Sequence, residues 1–169
     1  MKPAAGMTVR EALGRDAEAV ASLYRSFVSS PHVKVREDRL EAIASDPNNF
    51  LFVCDVDGVV CGTAFLTLCL DAMFGNQPYG VLENVAVNEA WRGNGIGSRL
   101  IAHAEEMCRI HDCSKIMLLS SLIREPAHLF FEQQGFPAAN KRGFVKYRSQ
   151  FRHSPIAGKI DDDPMPNAE

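Results

Sequence analysis

The run Arg92-Gly93-Asn94-Gly95-Ile96-Gly97-Ser98 constrains this chain more than any other segment. An apolar, strand-like stretch at 81–87 and the spacer Asn88-Glu89-Ala90-Trp91 precede it, and a helical pattern starts at its end. Closely spaced glycines let successive backbone N–H groups turn toward one point. The helix start adds unpaired N–H groups and partial positive charge. Arg92 can add a charge-assisted bond, so the segment reads as an anion cradle whose natural guest is a diphosphate. Other phosphate loops fit worse. A nucleoside-triphosphate loop needs Gly-Lys-Ser/Thr, and no Lys follows Gly97. A dinucleotide fold needs G-x-G-x-x-G directly after its strand and an acidic residue ending the next one. Here Ser98 holds the last glycine position and Ser120-Ser121 the acidic one.

The rest of the chain supplies the elements around this loop. Residues 8–11 read as a strand, and Asp16 is placed to cap a helix behind it. Val20, Leu23, Tyr24 and Phe27 share one helical face, and Pro31 stops that helix. Residues 37–45 predict a second helix with Leu40 and Ile43 inward, and 46–49 a loop. Strands follow at 50–54 and 59–70, joined by an Asp57-Gly58 hairpin turn. After a loop at 73–79 comes the 81–87 strand, then a helix from Gly95 to about Asp112 with Ile96, Leu100, Ile101, Ala104, Met107 and Cys108 inward. Residues 115–120 read as a strand. A further helix carries Pro126 in its first turn, and Gly135 ends it. Residues 144–151 predict a last strand. Two hairpin-linked strands followed by a β-α-β-α unit imply an α/β chain with a mixed sheet and helices on both faces.

At 169 residues, 46% apolar and 23% charged, the chain suits one domain with a real core, spanning 1–152. The tail 153–169, with Asp161-Asp162-Asp163 and two late prolines, reads as unstructured. A net charge of -3 without a long basic run argues against nucleic acid as a partner. No apolar stretch nears the roughly 20 residues of a membrane span, and no signal-peptide core follows Met1. The five cysteines form no C-x-x-C pair and read as buried thiols, not as a zinc site or disulfides. A reducing cytoplasm is the expected location.

From about Thr8 to Phe151 the chain resembles the GNAT superfamily of N-acetyltransferases. The likeness is strongest in Leu82-Glu83-Asn84-Val85-Ala86-Val87 through Ser98, which matches the family's Arg/Gln-x-x-Gly-x-Gly/Ala motif. Ala127-His128-Leu129-Phe130-Phe131-Glu132-Gln133-Gln134-Gly135-Phe136 is similar to the family's late helix, A-x-x-F-Y-E-x-x-G-F. The resemblance implies a GNAT fold with a splayed mixed sheet and acetyl-CoA as acyl donor. Arg92, Gly93, Asn94, Gly95, Ile96, Gly97 and Ser98 would hold the pyrophosphate. The strand backbone at Val85, Ala86 and Val87 would meet the pantetheine arm, whose amides pair as an added strand would. A homodimer is a further implication.

The implied reaction is attack of a neutral amine on a thioester, which needs a base, an oxyanion donor and an outlet for the thiolate. Glu83 is the candidate base. On an ideal strand it shares a face with Val81, Val85 and Val87, where apolar neighbours disfavour its charge; a bulge would change that facing. Its alternative is an exposed or salt-bridged Glu, and Asn84 reads as sheet packing. The oxyanion donor implied by the family is the backbone N–H near Val85. The family's usual acidic Tyr is Phe131 here, best read as core packing. Either the thiolate leaves unassisted, since an alkyl thiol has a pKa near about 8.5, or Tyr79, Tyr147, Ser120 or Ser121 serves. Arg124 and His128, four apart at a helix start, resemble a bacterial subgroup that includes aminoalkylphosphonate N-acetyltransferases. They are candidate acceptor or CoA contacts, against a plain capping role. Trp91 reads as a packing anchor. The expected function is N-acetyl transfer to a small primary amine, with a peptide acceptor or a non-catalytic acyl-CoA-binding module as alternatives.

Overall fold

The computed structural model describes residues 6–138 and 141–151. Five strands form one sheet in sequence order: β1 (Met7–Glu11), β2 (Asn49–Val56), β3 (Val59–Cys69), β4 (Tyr79–Val87) and β5 (Ile116–Leu118). The first three pairings are antiparallel and β4–β5 is parallel, so the sheet is mixed. Helices α1 (Ala17–Val28) and α2 (Glu37–Ala44) lie between β1 and β2, α3 (Ile96–Ile110) between β4 and β5, and α4 (Glu125–Gln133) after β5. At the β2–β3 hairpin both Asp57 (φ 51°) and Gly58 (φ 87°) are left-handed, which matches the strand twist.

Two apolar clusters place helices on both faces. One joins Phe50, Phe52, Leu66 and Leu82 of the sheet to Ile96, Leu100, Ile101 and Ala104 of α3, with Phe130 and Phe131 of α4 packed against it. The other joins Leu51 and Val53 to Val20 of α1 and Leu40 of α2, with Tyr24, Ile43 and Phe65 alongside. Of the inward faces read from helical spacing, Val20, Leu23, Leu40, Ile96, Leu100, Ile101, Ala104 and Cys108 are buried, while Tyr24, Phe27, Ile43 and Met107 are half-buried. All five cysteines are free thiols, three of them buried. Among the described residues no helix is long and apolar enough to cross a membrane.

Two expectations need correction. Residues 144–151 do not form a strand: 141–147 carry no regular structure and a short 3-10 turn follows at Arg148–Gln150. Phe144, Val145 and Phe151 are exposed there, so the apolar pattern is present without the pairing that makes a strand. Asp16 stands at the start of α1, but its carboxylate does not cap that helix. It accepts from the N–H of Leu13 at 2.8 Å and takes a two-pronged bond from Arg10, at 2.7 and 3.0 Å. The same guanidinium reaches Asp55 at 3.1 Å. A charged, geometrically matched partner outcompetes a helix N–H. The expected tail at 153–169 lies outside the described residues.

The Arg10 pair holds the buried Asp16 carboxyl below the usual carboxylate range. A depressed folded value means that the unfolded chain binds the proton more readily. The stabilisation is therefore complete above a pH of about 4 and is lost as pH falls through the folded value. Asp16→Asn is expected to cost about 2 kcal/mol at pH 7 and to flatten the stability loss between about pH 5 and pH 3. Urea melts of both proteins across that range check this, and equal slopes would refute it.

Candidate active site

The glycine loop follows a 3-10 turn (Glu89–Trp91) and runs into α3. Gly93 (φ 79°) and Gly95 (φ 77°) are both left-handed, with open space where a side chain would begin. Their geometry turns the amides outward, and among the described residues no hydrogen bond engages the N–H groups of Gly93 through Ser98. The first intrahelical bond runs from Arg99 N–H to Gly95 O, at 3.1 Å. Asn94 Nδ2 donates to Trp91 O at 3.1 Å and to Arg92 O at 3.3 Å, which ties the loop to its own entry. Ile96 is buried and anchors α3 in the core, so it offers only backbone to a ligand. Arg92 is exposed beside the loop, 3.3 Å from Glu89. A Cβ on Gly97 would lie 2.9 Å from Phe130 Cζ, so the loop packs directly on α4.

Next to the loop the sheet opens. β4 and β5 pair only at Gly80–Ile116, Val81–Met117 and Leu82–Leu118. From Glu83 to Val87 the β5-side edge of β4 meets no strand among the described residues, so the splay begins inside β4. Here β4 also carries a bulge. The register with β3 shifts between Thr63 and Phe65, and Asn84 is left-handed at φ 53°.

That bulge corrects the expected facing of Glu83. Glu83 pairs with Phe65, which packs on the α1 and α2 side of the sheet. Val85 and Val87 pack on the α3 side. The extra residue breaks the two-residue alternation just after Glu83, so Glu83 keeps the face of Val81 but points opposite to Val85 and Val87. Glu83 and Asn84 are exposed, and Ala86 is buried opposite Thr63. A free backbone edge, a carboxylate on one face and a ring of unengaged N–H groups at the strand's end make a slot that suits a long, amide-bearing diphosphate ligand.

Residues 17–136 match the model of the acetyltransferase (GNAT) family. The chain belongs to that family. This GNAT acetyltransferase is 27% identical to the aminoglycoside N(6')-acetyltransferase type 1 of Stenotrophomonas maltophilia, over 79% of the chain and 88% of that protein. It is 30% identical to a Bacillus subtilis (strain 168) protein provisionally named phosphinothricin acetyltransferase, over 77% of the chain and 83% of the relative. A solved structure from Agrobacterium tumefaciens str. C58, provisionally named an acetyltransferase, superposes with a TM-score of 0.76 at 30% identity. It covers 83% of this chain and 99% of the other. The acetyltransferase is thus an acyl-transferring enzyme with the GNAT fold.

In the acetyltransferase Phe131 has a structural duty. The N–H of Phe136 bonds Phe131 O at 3.0 Å and that of Gly135 bonds Glu132 O at 3.0 Å, with Gly135 at φ 88°. This is a Schellman ending of α4, and the Phe131–Phe136 ring contact (6.3 Å, edge to face) is its apolar closure. Arg124 lies over the Phe27 ring, 4.1 Å from its centroid, and donates to Phe27 O, latching the start of α4 to the end of α1. His128 Nε2 lies 2.8 Å from Ser121 O. Both side chains therefore engage backbone carbonyls, of Phe27 and Ser121. Tyr79 stands opposite Cys69, roughly 13 Å along β4 from Glu83. Tyr147 is exposed in the irregular 141–151 segment, and Ser120 and Ser121 follow β5.

Sequence reading counted Tyr24 only as one of four core positions of α1. Its ring packs against the cluster on the α1 and α2 side of the sheet, the side to which Glu83 turns, and burial pushes its phenol up to about 12. The available signal was a single phenol on an otherwise apolar helical face.

Proposed function

We propose that this enzyme moves an acetyl group from acetyl-CoA to a small primary amine, with Glu83 as the base. The observation that carries the reading is the free edge of β4 from Glu83 to Val87, running straight into the glycine loop. On this reading the N–H groups of Gly93 to Ser98 and Arg92 hold the pyrophosphate. The backbone of Val85, Ala86 and Val87 pairs with the pantetheine amides. A backbone N–H near Val85, freed by the bulge, meets the developing oxyanion. Glu83, turned to the α1 face, takes the proton of an ammonium arriving from that side. Phe131 offers no proton, and a thiol with an ordinary pKa of about 8.5 leaves as the thiolate near neutrality without help. The names of the relatives favour aminated sugars and amino acid-like amines as a first panel.

Thiol release from acetyl-CoA with aminoglycosides, hexosamine phosphates, phosphinate and phosphonate amines and a lysine peptide tests the reading. Glu83→Gln is expected to lower kcat by on the order of 10² or more, while acetyl-CoA affinity stays within about twofold. An unchanged kcat would remove Glu83 from the mechanism, and turnover of the peptide alone would replace the small amine.

A further inference from the structure

β4 and β5 part after Leu82–Leu118, and among the described residues no backbone hydrogen bond rejoins the two sides beyond that pair. One lip of the slot is β4 with α1, which packs on β3 and β4. The other is the 119–124 connection that leaves β5 and starts α4. Arg124, half-buried, ties them together. Its guanidinium lies 4.1 Å from the centroid of the Phe27 ring and donates to Phe27 O, 97 residues away in the chain. Phe27 O belongs to the last turn of α1, whose carbonyls the helix leaves without partners and whose end favours a cation. The aromatic face attracts the same charge, and a planar guanidinium serves carbonyl and ring at once.

Two spacings along the helices put this contact at the slot. Phe27 lies less than one turn past Tyr24, which packs on the same cluster as Phe65, the residue paired with Glu83. Arg124 lies roughly 9 Å of helix before Phe130, which packs on Gly97 of the glycine loop. The contact therefore completes a ring of β4, α1, Phe27, Arg124, the 119–123 connection and β5.

We propose that Arg124 is a specificity-determining residue for acyl transfer: by bridging α4 to the end of α1 it closes the rim of the slot, admitting a small amine and excluding one carried on a polypeptide. The inference rests on the acetyl-transfer reading above. A small amine enters a closed ring end-on. A peptide lysine brings a main chain that has to lie across the rim within reach of its side chain, and the bridge occupies that line. Arg124 acts here through Phe27 and not by touching the acceptor.

Thiol release is measured with a hexosamine, its phosphate and a lysine peptide. Arg124→Ala is expected to raise kcat/KM for the peptide by roughly tenfold or more, because the rim opens. For both hexosamines it is expected to raise KM severalfold at nearly the same kcat, because a wider slot holds them less closely. Phe27→Ala, on the opposite lip, is expected to act in the same direction but less, since its carbonyl remains. In the Arg124→Ala background it is expected to add almost nothing, because the two act as one unit. Wild-type turnover of the peptide, or a peptide still excluded by folded Arg124→Ala, would overturn the proposal. So would a KM rise confined to the hexosamine phosphate, which would make Arg124 an acceptor contact. Wild-type protein that binds acetyl-CoA but acetylates no amine would sink the acetyl-transfer reading instead. The Arg124 Nε–H resonance then decides the bridge alone: a ring-current shift that disappears in Phe27→Ala upholds it, and an unshifted resonance overturns it.

Discussion

Gly95→Val is expected to lower acetyl-CoA affinity by roughly 100-fold or more while the protein stays folded. Gly95 sits at φ 77°, ψ 8° immediately before α3. A side chain there costs about 1–2 kcal/mol in backbone energy, and a β-branched one more. No atom lies within 4 Å of the position a Cβ would take, so the penalty is conformational, not steric. The chain relieves it by rotating the adjoining peptides, which swings the N–H groups of the loop away from their common focus. Losing two bonds to a charged phosphate, at about 1.5 kcal/mol each, gives the stated factor. Gly95→Ala carries no β-branch and is expected to lose closer to tenfold. Calorimetric titration with acetyl-CoA and a thermal melt of each variant check this. Unchanged affinity in a folded Gly95→Val protein would mean that the pyrophosphate binds elsewhere.

Phe52→Ala is expected to cost about 3–5 kcal/mol, a large share of the 5–15 kcal/mol that keeps a domain folded. Phe52 lies on β2, wholly buried. Its ring meets His103 of α3 edge to face at 4.6 Å and Phe50 at 6.1 Å. Its removal opens a cavity between the sheet and α3 that these neighbours cannot fill without dragging the helix. The cavity borders Leu82 of β4 in the same cluster, so it is expected to blunt turnover per folded molecule as well. Urea melts give the first quantity, and a loss below about 1 kcal/mol would show that the core closes over the gap. Turnover measured well below the unfolding transition gives the second.

Much of the fold is legible because its causes are local. The glycines at 93 and 95 announce a left-handed loop by their lack of a side chain. Ile96, Leu100, Ile101 and Ala104 announce the buried face of α3 by spacing alone. Gly135 announces the end of α4, and the replacement of the family's tyrosine by Phe131 already suggests packing, which the Schellman closure with Phe136 accounts for. The 144–151 stretch is the opposite case. Its alternating apolar residues satisfy a strand pattern, but a strand exists only when a neighbour pairs with it, and pairing is not a local property.

The candidate site divides the same way. Sequence by itself determined the left-handed glycine loop before α3 and the family of acetyl-transferring enzymes, and it put forward Glu83 as the candidate base. Tertiary structure alone decided which way Glu83 points, because one extra residue at Asn84 reverses every facing beyond it. It alone gave Arg124 to Phe27, partners on elements far apart in the chain. The physical reason is range: glycine geometry and helical period act over a few residues, whereas a bulge answers to whatever packs across the sheet.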